Sequence, residues 1–120
     1  MEFKRRSLGN IKISNTAIAE IISHIASECY GVVGLVNPSL SKGIIKLLQR
    51  KHQSKGVIVN RDKGTINIEI YVVIQYGTNL KQVAKSLRDS VRFNLDKLIS
   101  LPIGKIDINI QKVNIQSILK

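Results

Sequence analysis

Residues 56–76 read GVIVNRDKGTINIEIYVVIQY. Ile66, Ile68, Ile70, Val72 and Ile74 occupy every second position, the period of a strand that buries one face. The β-branched run GVIVN precedes them, separated by the polar stretch Arg61-Asp62-Lys63-Gly64. A hairpin turning in those four residues is the expected structure. The other face of its second strand carries Thr65, Asn67 and Glu69, then becomes apolar at Tyr71 and Val73. Part of that face is therefore expected to be covered, by another element or by another subunit.

On both sides of the hairpin the period lengthens to that of a helix. Downstream, Asn79 is placed to cap a long helix whose buried stripe is Leu80, Val83, Ala84, Leu87, Val91, Leu95 and Leu98. Pro102 and Gly104 separate it from a last strand in which Ile106, Ile108 and Ile110 share a face. Val113 and Ile115 continue on the opposite parity, which predicts a bulge near Gln111-Lys112. Upstream, Ile11 and Ile13 suggest a short strand and Ser14 a cap. Ile18, Ile21, Ile22, Ile25, Ala26 and Cys29 then draw an apolar stripe along a helix expected to end at Tyr30, before Gly31. Val32, Val33, Leu35 and Val36 predict a short buried strand that stops at Asn37-Pro38. Residues 40–51 suggest a second, shorter helix, and residues 1–8 a flexible basic N-terminus.

These elements predict an α+β fold over one domain, residues 1–120. The expected order is β-α-β-(α)-β-β-α-β, a two-layer sandwich with two main helices on one face of a mostly antiparallel sheet. A chain of 120 residues can bury about 65% of its unfolded surface. With aromatic residues at only 4%, that core must come from Ile, Val and Leu.

Composition also narrows the function. No apolar run approaches the ~20 residues of a membrane span, and the N-terminus lacks the apolar stretch of a signal peptide, so a cytoplasmic protein is expected. Cys29 is the one cysteine, which excludes an internal disulfide, and with only His24 and His52 besides, neither a metal nor another cofactor is expected. The net charge of +11 attracts polyanions, or in part reflects the abundance of Ile, Lys and Asn throughout the chain, a compositional bias. Two basic surfaces stand out. Lys42, Lys46, Arg50, Lys51 and Lys55 lie in a stretch free of acids, and Lys81, Lys85, Arg88 and Arg92 fall within roughly 60° on one flank of the long helix.

Catalytic patterns are sparse. Cys29 stands roughly 140° from His24 around the helix, so no base serves it as a nucleophile. Glu20, His24 and Glu28 share a helical face at four-residue spacing, which allows an acid/base or metal pair, or a solvated polar face with a helical ion pair. Gly31-Val32-Val33-Gly34 has the spacing of the KH clamp, but that loop joins two helices, and here a strand pattern follows. No phosphate loop or nucleophile elbow occurs.

Several segments together resemble the alkaline shock protein family, in particular its small YloU-like branch in Gram-positive and related bacteria. They are GNIKISNTAIAEIISHIASECYGVVGL, YVVIQYGTNLKQVAKSLRDSV and IDINIQKVNI, spread over residues 9–115. The most specific parts are Cys29, Tyr30, Gly31 and Gly34 after the first helix, Tyr76, Gly77 and Thr78 before the long one, and the closing alternation with its parity shift. The resemblance implies a cytoplasmic protein with no assigned catalytic activity, associated with cell-envelope or alkaline-stress responses. It also implies self-association into a homo-oligomer or docking to a membrane-anchored protein at the inner face of the membrane, with no small-molecule substrate. The charge offers an alternative, a module that binds RNA, DNA or an anionic membrane surface through residues 42–55 and 81–92. An enzyme using Glu20 and His24 is a third class, and it requires a pocket lined by both.

Overall fold

A computed structural model of the chain describes residues 13–38, 48, 50–75 and 77–111. The elements run α1 (Asn15–Ser27), β1 (Val32–Leu35), a 3-10 segment (Arg50–Gly56), β2 (Val57–Asp62), β3 (Thr65–Ile74), α2 (Leu80–Leu98) and β4 (Ile103–Ile110). The fold is α+β, as the sequence predicts.

β3 supplies the centre of the sheet. β2 and β3 pair antiparallel from Val57↔Ile70 to Asp62↔Thr65. Their turn is tighter than the four residues expected, because only Lys63 and Gly64 lie outside the strands. Both have positive φ, 52° and 81°, the left-handed pair that a two-residue hairpin turn requires. β1 pairs antiparallel with the far end of β3, Leu35 opposite Val72. β4 pairs with β3 in parallel, from Ile66↔Ile103 to Val72↔Ile110. At Val72 both β1 and β4 are partners, so β1 and β2 lie end to end along one edge of β3 and β4 along the other. The parallel pair is the exception in an otherwise antiparallel sheet, and α2 is its crossover.

Both helices cover the same face. Ile18, Ile22 and Ala26 of α1 and Val83, Leu87, Val91 and Leu95 of α2 form one buried cluster with Ile66, Ile68, Ile70, Val72 and Ile74. The stripe predicted for α2 is narrower than the helix is long: Leu80 and Leu98, one at each end, overhang the sheet and are exposed. Ser14 caps α1 through an Ala17 N–H to Ser14 Oγ bond of 3.0 Å. The helix ends at Ser27, three residues before the expected Tyr30, and residues 28–31 form a further turn, with Cys29 N–H donating to Ala26 O and Val32 N–H to Cys29 O. Val33, expected to be buried, is exposed, since β1 lies at the sheet's margin.

Other expectations meet the limits of the described residues. Ile13 is in no strand, and Ile11 lies outside them. The short helix over residues 40–51 falls mostly outside, while Arg50 and Lys51 open the 3-10 segment. The parity shift beyond Gln111 is likewise outside. Two irregularities are described: one in β1, where Val32 and Gly34 stand opposite Ile74 and Val73, and one at the start of β4, where Ile103 and Ile106 stand opposite Ile66 and Ile68, so that in each case β3 has one residue fewer.

Candidate functional site

The two stretches that looked most distinctive, far apart in sequence, meet at one place. β3 carries the chain back to the end of α1, and Gln75 N–H donates to Gly31 O at 2.7 Å, tying the two loops together. Thr78 then turns the chain into α2: its N–H and its Oγ1 both donate to Gln75 O, at 3.2 and 2.6 Å. Asn79 caps α2, its Oδ1 accepting from Gln82 N–H at 3.1 Å. Cys29, Tyr30, Gly77, Thr78, Asn79 and Gln82 thereby line a cleft of about 330 Å³, with Val83 and Ser86 at its α2 wall.

Gly31, next to Tyr30, lies close against α2 beside this cleft. Its φ is +90°, and a Cβ there would stand 2.8 Å from Val83 Cγ2. Only glycine allows both the left-handed turn and the close approach to α2. Gly77 has the same φ but open space around it, so its requirement is conformational alone. Tyr30, next to Gly31, projects into solvent at 84% exposure. Gly34 is buried in β1. Tyr76 lies outside the described residues.

Cys29 packs against the core beside the cleft, and burial pushes its thiol above the ordinary range. A thiol held in its protonated form is a poor nucleophile. Glu20, His24 and Glu28 occupy open surface rather than a pocket. His24 Nε2 stands 3.8 Å from Glu28 Oε2, with the side chains 68% and 64% exposed. Gly31 to Gly34 is the entry to a paired strand, so the KH-like spacing forms no clamp.

The structure divides the basic residues. Lys42 and Lys46 lie outside the described residues, Arg50 and Lys51 belong to the 3-10 segment, and Lys55 is exposed at its end. On α2, Lys81 and Lys85 are exposed and Arg88 is half-buried. Lys85 Nζ is paired with Asp89 Oδ2 at 2.9 Å, and that pairing holds the Asp89 carboxyl below the usual carboxylate range. Arg92 is committed to the fold: its Nη1 donates to Ile103 O at 3.1 Å and its Nη2 to Gly104 O at 2.8 Å. These are the carbonyls of the bulge that opens β4. Of the predicted four-residue stripe, Arg92 is therefore spent on the fold and Lys85 already carries a carboxylate partner.

The outer face of the sheet has the opposite sign. Asp62, Glu69 and Asp107 lie on it, and Tyr71 O–H donates to Glu69 Oε1 at 2.7 Å. That bond, with burial and the nearby Asp107 charge, raises the Tyr71 phenol above its ordinary value. Gly104 is fixed from this side too, because a Cβ there would stand 2.4 Å from Asn67 Oδ1, the atom that accepts from Lys105 N–H at 2.9 Å. Among the described residues no group of three or more His, Cys, Asp or Glu is placed to hold a metal ion. No helix among them is long and apolar enough to cross a membrane.

Comparison with known proteins places these features in a family. The model of the alkaline shock protein 23 family, described as having a cell envelope-related function, matches residues 4–115. The protein YloU of Bacillus subtilis is 31% identical over 112 residues, spanning 92% of this chain and 93% of YloU. The protein Spy1614 of Streptococcus pyogenes is 30% identical over 108 residues, 89% of each chain. The protein YqhY of Bacillus subtilis is 29% identical over 110 residues, 92% of this chain and 81% of its own. No solved structure matches the chain.

Proposed function

The chain belongs to the alkaline shock protein 23 family, a family of cell envelope-related function, and from that membership we propose a non-enzymatic interaction protein that serves the envelope from the cytoplasmic side. It works by self-association or by docking to a membrane-anchored partner, as a peripheral protein at the inner face of the membrane. The observation that carries this reading is the family match over residues 4–115, which takes in every described element. The cleft between Tyr30 and Thr78 supports it, because the residues that gave the resemblance converge on an exposed aromatic and not on paired catalytic groups.

Affinity purification of the tagged protein from its host, with membranes retained, tests the proposal alongside light scattering of the pure protein. Recovery of an envelope protein, or a mass that is a multiple of the monomer's, is expected. A monomer at high concentration that brings down no envelope protein would overturn it.

A second reading rests on the charge of +11: binding of RNA, DNA or an anionic membrane through residues 42–55 and the α2 flank. The commitment of Arg92 and the pairing of Lys85 reduce the cations that α2 can offer to phosphates. Titration against each polyanion at low and high salt separates this reading from the first, since phosphate contacts weaken steeply as salt rises.

A further inference from the structure

β4 is an edge of the sheet, paired with β3 and with no other described strand. Which of its backbone groups face outward follows from the ladder. Ile66 N–H donates to Pro102 O and Gln111 N–H to Val72 O, so the even-numbered residues of β3 address β4. In a parallel ladder the odd-numbered residues of β4 beyond the bulge then point inward, and Ile106, Ile108 and Ile110 turn N–H and C=O outward. The start of that edge is closed by Arg92, which binds the Ile103 and Gly104 carbonyls. Past Gly104 it presents a short row of groups that can pair with another strand.

Arg92 also fixes what stands above this edge. Lys81, Lys85 and Arg88 lie eleven, seven and four residues before it, on the same flank of α2, where Lys85 is paired with the exposed Asp89 and an incoming carboxylate would share or replace that partner. Because Arg92 reaches the outer side of β4, that cationic flank overhangs the open row. α1 lies on the other side, over β1 and β2. An open strand edge beneath a row of cations has the chemistry of a receptor for an extended, negatively charged chain.

We propose that β4 accepts an acidic, extended segment of a partner protein as an added strand. The segment's backbone pairs with Ile106, Ile108 and Ile110, and acidic residues at alternate positions meet Lys81, Lys85 and Arg88. A second copy of this chain joined through the same edge would set two cationic flanks against each other, which disfavours it as the occupant. The assignment rests on the docking reading above and names the partner's chemistry.

The test uses the full chain and a fluorescein-labelled peptide alternating Glu and Val, compared with a peptide alternating Lys and Val and with one of the same Glu/Val composition in two blocks. Amide exchange is followed by NMR. The alternating acidic peptide should bind more tightly than both controls and slow exchange at the amides of Ile106, Ile108 and Ile110. The surface variant Lys85→Glu/Arg88→Glu should weaken it by about tenfold or more, while Lys97→Glu, on the other flank, should not. Equal binding of the block peptide, unchanged exchange at those amides, or amides already protected in the free protein would each overturn the assignment. So would phosphatidylglycerol vesicles or single-stranded DNA displacing the peptide without protecting them. If the double variant still recovers an envelope partner undiminished, docking lies elsewhere and only this assignment falls; failure of the unaltered protein to recover any would remove the broader reading.

Discussion

The two faces of β3 are built from the same ten residues under opposite demands. On the inward face Ile66, Ile68, Ile70 and Val72 are at most 1% exposed and belong to the one buried cluster that both helices share. On the outward face Thr65, Asn67, Glu69 and Tyr71 are half-buried; Tyr71 donates to Glu69, and Asn67 accepts from Lys105 of β4. The inward face determines that the chain folds, and any Ile/Val-rich relative would satisfy it. The outward face and the β4 edge are where specific side chains meet specific backbone groups, so a partner has something particular to read there.

The largest effect should come from breaking the inward face. Ile68→Ala removes a fully buried side chain at the centre of the cluster and should cost about 2–5 kcal/mol. Thr65→Ala, one strand position from the inward row but on the outer face, should stay within about 0.5 kcal/mol. Urea unfolding of both variants checks the contrast, which fails if the two midpoints shift alike.

Gly104 sharpens the comparison, because it is the point where the outer face cannot accept even a methyl group. Gly104→Ala puts a Cβ 2.4 Å from Asn67 Oδ1 and 2.8 Å from Thr65 Cγ2, and should cost about 1–3 kcal/mol. Asn67→Ala in the same chain removes the nearer obstacle and should return part of that loss. A double-mutant cycle measures the coupling, and strictly additive effects would show that Asn67 is not the obstacle.

Arg92 and Arg88 differ less, though both stand on the same flank of α2. Arg92→Ala leaves the Ile103 and Gly104 carbonyls without their charged donor and should lower stability by about 1–2 kcal/mol. Arg88→Ala should change it by less than about 0.5 kcal/mol. Thermal unfolding of the pair decides whether Arg92 belongs to the fold, as its bonds indicate, or to the binding surface.

How much of this was legible in the sequence follows the same division. The hairpin and the middle turns of α2 were readable because burial imposes periods of two and 3.6 on Ile66–Ile74 and Val83–Leu95. The ends were not, because Leu80 and Leu98 match the stripe yet extend past the sheet that would bury them. The parallel pairing of β4 had a usable signal in the helix that separates it from β3. Nothing in the spacing of Cys29-Tyr30-Gly31 and Gly77-Thr78 says that they share a cleft, since that depends on β3 returning the chain to the end of α1. The role of Arg92 was equally hidden: its partners are main-chain carbonyls freed by a bulge, and a flank drawn by helical offsets cannot distinguish a cation held by the fold from one offered to a partner.

Tyr71 gives the smallest predicted effect and the most local probe of the outward face. Its phenol is raised first by the hydrogen bond to Glu69, then by burial and by the charges of Glu69 and Asp107. The folded protein therefore keeps this proton to higher pH than the unfolded chain does. The contribution to stability is complete below the ordinary tyrosine value of 10.0 and is lost as pH rises through the folded one. Absorbance of the tyrosinate band against pH should show a late ionisation that Tyr71→Phe removes, and Glu69→Ala should bring that ionisation down. If the late ionisation persists without Glu69, burial and Asp107 hold the phenol, and the Tyr71–Glu69 pair does not organise the outward face. If the acidic peptide lodged on β4 without moving this titration, its carboxylates would lie on the helix side, where Lys81, Lys85 and Arg88 are placed to meet them.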